Sequence, residues 1–161
     1  MKNSIRVLSV LLTLAFSTPL LAAEMVRYTG RFEMKAVKAH NSVIPGTMKL
    51  YFDGEAFTKA EAIPDKPVFG KKDFFTKEQN YVYLKNGDTN SQMSVAALFE
   101  GTPHKFYLVW VGNSSDADTT FDGIWYRVNM PIDQILVILK NGIVQSPEGW
   151  QNIGTGNLRV Q

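Results

Sequence analysis

The chain has 161 residues, no cysteine, 17 Lys and Arg against 15 Asp and Glu, and 45% hydrophobic residues. That length and apolar content suit one domain with its own core. The lack of cysteine excludes a disulfide scaffold, a thiolate metal site, a cysteine nucleophile and a lipid-anchored export product. Lys2 and Arg6 lie within the first 23 residues, whereas every Asp and Glu follows, so residues 24–161 carry 15 charges of each sign. The net positive charge belongs to the N-terminal segment, which removes the usual case for nucleic-acid or anionic-membrane binding.

Residues 1–23 have the layout of a secretory signal peptide. Lys2 and Arg6 make a short positive head, and residues 7–16 form an apolar run broken only by Ser9 and Thr13. Pro19 ends the run, and Leu21-Ala22-Ala23 offers a small-residue cut site before Glu24. About ten apolar residues are too few to cross a bilayer. The expectation is an extracytoplasmic protein, periplasmic or secreted, with a single domain over 24–161 and no transmembrane segment in it.

From there the dominant signal is alternation. Val26, Tyr28, Gly30, Phe32, Met34 and Ala36 share one face of a strand, and Arg27, Thr29, Arg31, Glu33 and Lys35 share the other, which predicts a half-buried strand wet on one side. A second strand is predicted over Gly46 to Phe52, with Met48, Leu50 and Phe52 on its apolar side. Asp53-Gly54 turns the chain into a third over Glu55 to Ile63, where Ala56, Ala60 and Ala62 make a small-residue face. Asn86-Gly87 then joins strands over Asn80 to Lys85 and Gln92 to Phe99. Asx-Gly pairs supply the positive φ angles that tight hairpins require. The next predicted hairpin pairs Pro103 to Gly112 with Phe121 to Met130, its first strand being apolar on both faces and therefore central.

Pro131 to Gly142 admits two readings. Ile132, Ile135, Leu136 and Leu139 have helical spacing, with Pro131, Asp133, Lys140 and Gly142 suited to the ends. The run Ile-Leu-Val-Ile-Leu followed by Asn141-Gly142 would also suit a strand and hairpin turn; the short helix is the preferred reading. A closing strand is predicted over Ile153 to Val160. About eight strands joined as hairpins, with no βαβ alternation, predict an all-β, mostly antiparallel fold, a small barrel in preference to a sandwich.

Signals for chemistry are sparse. His40 and His104 lack acidic or nucleophilic neighbours in a known pattern, and there is no Gly-x-Ser-x-Gly, His-Glu-x-x-His or phosphate loop. Asp116, Asp118, Thr120 and Asp122 resemble the opening of a calcium loop, but Phe121 stands where a Gly is needed and Arg127 where a bidentate Glu is needed. A non-enzymatic protein without metal or cofactor is expected. An enzymatic alternative would require His104, Asp122, Tyr126 and Arg127 to converge in one concavity.

The aromatic residues are more informative. If Gly112 pairs with Phe121, Trp110 and Trp125 share a face, Trp110 opposite Gly123 and Trp125 opposite Leu108. A one-residue slip would separate them. With Tyr126 and Arg127 beside them they form a candidate ligand-binding set, core packing being the competing role. Residues 64–79 place Phe69, Phe74 and Phe75 among Lys66, Lys71, Lys72 and Lys77, with Pro64, Pro67 and Gly70 breaking regular structure. A connection of this length is often functional.

Gly30-Arg31-Phe32 in the first strand, the helix-like segment Pro131 to Lys140 and Arg159 near the end resemble, in their order, features of lipocalin-like barrels. Phe32 stands where that family has Trp. The resemblance implies an internal pocket for a small apolar ligand. The export signal, the aromatic alternating strands, the small-residue face and the Phe-bearing connection make the leading expectation an exported barrel binding a small apolar or amphipathic ligand; the alternative is a protein-interaction module of the cell envelope, such as an assembly factor or inhibitor of an exported enzyme.

Overall fold

The structure is a computed structural model describing residues 24–36, 42–68, 81–86, 93–100, 106–115, 118–141 and 147–161, with backbone alone for residues 81–86, Met93 and Glu100. The expected signal peptide, His40, His104 and the three phenylalanines Phe69, Phe74 and Phe75 lie outside the described residues.

Eight strands and one helix follow in chain order: β1 (Met25–Lys35), β2 (Val43–Asp53), β3 (Ala56–Pro64), β4 (Tyr81–Asn86), β5 (Met93–Glu100), β6 (Tyr107–Ser114), β7 (Thr120–Val128), α1 (Ile132–Asn141) and β8 (Trp150–Val160). The strands form a single antiparallel sheet in the order β3-β2-β1-β8-β7-β6-β5-β4. Every neighbour is sequential except β1 and β8, the first and last strands, which pair with each other. The two edge strands, β3 and β4, come into contact, so the sheet rolls into a nearly closed barrel and shields most of its edge.

Alternation decides which side chains go inside. Tyr28, Phe32 and Met34 of β1 point inward with Met48, Leu50 and Phe52 of β2, and Arg31, Glu33 and Lys35 stay wet. Three bulges interrupt the ladders, one at Arg27 of β1 and one each in β3 and β8. In β3, Phe52 pairs with Phe57 and Tyr51 with Lys59, which skips Thr58. Phe57, Ala60 and Ala62 therefore face the core while Ala56 is left exposed. In β8, Trp125 pairs with Gly154 and Tyr126 with Asn152, so Ile153 is the extra residue and joins the core. The β2–β3 hairpin turns through Gly54, whose φ of 59° is left-handed and whose Cβ position is open space.

The helix reading of Pro131 to Gly142 holds. Ile135 and Leu139, four residues apart, are buried, and Asp133 and Lys140 complement the dipole at their respective ends. The helix packs on the outside of the sheet, where Ala96, Leu98, Val109, Val111, Tyr126, Val128 and Trp150 form a second apolar cluster with it. This explains why β6 reads as apolar on both faces: one faces the barrel interior and the other the helix. Among the described residues no helix is long and apolar enough to cross a membrane.

The two ends of the barrel differ. The connections between β1 and β2, β3 and β4, β5 and β6, and the helical one between β7 and β8 all leave from the same end as Lys35 and Val128. The opposite end carries the turn at Gly54 and the Ser115–Thr119 loop. There the Ser115 hydroxyl accepts from the backbone N–H groups of Thr119 and Thr120, each at 3.2 Å.

Candidate functional site

The β6–β7 ladder pairs Gly112 with Gly123, not with Phe121, so the register differs by two residues from the expected one. An even shift preserves facing, and Trp110 and Trp125 become direct cross-strand partners on the inner face. Both are fully buried. Phe32 and Phe99 flank Trp125 with ring centroids at 5.5 Å, and Phe121 lies 6.4 Å from Trp110. A β-carbon on Gly112 or on Gly123 would stand 2.5 Å from Cζ2 of Trp110. The glycines thus form the floor on which the indole rests. Its buried N–H has no hydrogen-bond partner among the described residues. Ala60 and Ala62 do face inward, but the same cluster holds Tyr28, Met48, Leu50 and Phe52.

The other candidates separate. Tyr126, adjacent to Trp125 on the same strand, points to the opposite face and lies beneath the helix, edge-on to Trp150 at 5.6 Å. Arg127 returns to the inner side at the loop-rich end, paired with Leu108, and its guanidinium lies 4.9 Å from the Phe106 ring centre. Asp122 and Tyr126 therefore face outward and Arg127 inward, so these three named for an enzymatic site do not converge; the fourth, His104, lies outside the described residues. Asp118 and Asp122 do not share a site either. Asp118 occupies a left-handed turn with φ 50°, where its backbone carbonyl accepts the Tyr28 hydroxyl at 2.7 Å. Burial raises the Tyr28 pKa.

The outer face carries an arrangement that sequence reading missed. Thr47, Arg31, Asn157, Asp122, Asn113 and Ser94 are paired in succession across six strands, from β2 through β1, β8, β7 and β6 to β5. The row is linked side to side. Ser94 donates to Asn113 Oδ1 at 2.7 Å, Asn157 Nδ2 donates to Asp122 Oδ1 at 2.5 Å, and Arg31 donates to Thr47 Oγ1 at 3.1 Å. Arg31 also forms a two-pronged ion pair with Asp65, whose carboxyl is held below its ordinary pKa by that hydrogen bonding.

Beside the row is an open depression of about 450 Å³. Asn113, Asp122, Thr155 and Asn157 form its polar side, while Val111, Ile124 and Tyr126 form its apolar side next to the helix-covered cluster. Among the described residues Asp122 is its one charged lining residue. No sequence motif marks these positions, because they are brought together by the registers of two ladders.

A second polar cluster lies on β2 and β3. Glu61 accepts from Tyr51 at 2.7 Å and from Lys59 at 2.6 Å, and the Lys59 ammonium stands 4.9 Å from the Tyr51 ring centre. Burial, followed by the bond to Glu61, pushes the Tyr51 pKa up to about 12. Burial pulls the Glu61 carboxyl upward, but the bonds from Lys59 and Tyr51 outweigh it and leave the pKa lowered.

No family model, curated protein sequence or solved structure matches this chain.

Proposed function

We propose that this is an exported, non-enzymatic barrel that recognises a protein partner through its outer surface, an interaction module of the cell envelope. The observation that carries this reading is the filling of the inner face: Trp110 rests on Gly112 and Gly123, with Trp125, Phe32, Phe99 and Phe121 packed around it. Among the described residues this packing favours recognition on the outside, where the Asp122–Asn157 depression is open. Export follows from the signal-like residues 1–23.

The test is a photo-reactive amino acid placed at Thr155, in the depression, and at Lys49, outside it on β2, in cells making the full chain. One discrete polypeptide adduct at 155 and none at 49 is the expected result. Equal adducts at both positions, or none at either, would overturn the reading.

A small amphipathic ligand is the second reading, favoured by Arg127 stacked on Phe106 at the end from which the long connections leave. Native mass spectrometry of protein purified from its envelope fraction separates the two. A bound mass of lipid or metabolite size, lost on denaturation, supports the ligand; a second polypeptide supports the module.

A further inference from the structure

We propose that the depression at Asp122 and Asn157 is the seat of a basic side chain, arginine or lysine, supplied by the partner. The inference rests on the surface-recognition reading above and names the chemistry that the surface takes.

The hydrogen bond between Asn157 and Asp122 settles which atoms remain to be used. A carboxylate only accepts, so the donor must be the Asn157 amide nitrogen, and the orientation of that amide follows. Among the described residues, Asn157 Oδ1 and Asp122 Oδ2 remain as acceptors, with the Thr155 hydroxyl also lining the depression. No ion pair to Asp122 occurs among the described residues, and Arg31, next along the same row, is engaged by Asp65. The site thus offers a negative charge and an excess of acceptors, which a donor-only cation complements.

The other side of the depression suits the rest of such a side chain. Ile124, half-buried beside the buried Val111, presents the aliphatic surface along which a three- or four-carbon stem lies while its charged head reaches the polar row. The volume of about 450 Å³ exceeds one side chain, leaving room for the partner backbone that carries it. Holding Asp122 in place beforehand lowers the ordering cost of the contact.

The experiment is an NMR titration of the purified protein with N-acetyl-arginine amide, its neutral isostere N-acetyl-citrulline amide, and maltose. The expected result is a saturable shift of the Asp122, Gly123, Thr155 and Asn157 amides with the arginine probe. Citrulline should bind about tenfold more weakly or worse, the loss expected when a charge-assisted bond is removed. Asp122→Asn should produce the same loss with an unchanged amide spectrum elsewhere. Equal binding of citrulline, preferential binding of maltose, or arginine shifts that survive Asp122→Asn would each overturn the proposal. The cross-linking test judges the partner reading separately, so the failure of one is distinguishable from the failure of the other.

Discussion

The indole of Trp110 covers Gly123 so closely that a β-carbon there would stand 2.5 Å from its Cζ2 atom. A ring and an empty position on the neighbouring strand are therefore one packing unit. Gly123→Ala forces the indole or the strand to move, at an expected cost of roughly 1–3 kcal/mol, typical of overpacking. Shortening the ring with Trp110→Leu should relieve part of that cost. Chemical denaturation of both single variants and the double variant measures the coupling. Simple additivity would contradict the contact.

All three tryptophans of the chain are buried, Trp110 and Trp125 inside the barrel and Trp150 under the helix. Native fluorescence should be blue-shifted and almost insensitive to iodide, becoming red-shifted and quenchable on unfolding. Ready quenching of the native protein would mean that solvent reaches the interior, and would return weight to an internal ligand.

The helix makes a directional prediction. Leu139→Ala, at a buried position, should destabilise by about 2–5 kcal/mol through the cavity it leaves, whereas Val137→Ala, at a 56% exposed position, should change stability little. Equal thermal shifts for the two would show that the helix packs on another face.

Alkaline titration followed by tyrosine absorbance tests the β2–β3 cluster. Tyr51 should ionise near pH 12, later than ordinary tyrosines, and Tyr51→Phe should remove that late step. Because the folded-state value is raised, the stability it contributes is complete below pH about 10 and is lost as pH rises toward about 12. A spectrum in which every tyrosine titrates near pH 10 would contradict this environment.

Glu61 acts in the opposite direction. Its folded-state pKa is lowered, so its contribution is present above the ordinary glutamate value and is lost as pH falls through the folded one. Glu61→Gln should flatten that part of the acid-side stability profile. An unchanged acid limb would show that the bonds from Lys59 and Tyr51 do not hold in solution.

Much of this architecture was legible residue by residue. The period-2 pattern of Tyr28, Phe32 and Met34, the turn at Gly54 and the spacing of Ile135 and Leu139 each depend on local geometry, which a single stretch of chain specifies. That Trp110 and Trp125 share the inner face was not legible, since a one-residue slip would have separated them; the ladder settled it by pairing the two directly. Nor was it legible what neighbours what. Asp122 meets Asn157 from 35 residues away because the β7–β8 ladder sets them opposite each other, and no spacing in either strand announces it. The division of Tyr126 from Arg127 was likewise hidden, because only the docked helix turns an outward tyrosine into a buried one. Sequence alone indicated the strands and most of their faces and favoured the helix over a strand, through backbone periodicity. The packing around Trp110 and Trp125 and the depression at Asp122 were decided by tertiary structure, because both are built from side chains that meet only when strands distant in the chain pair.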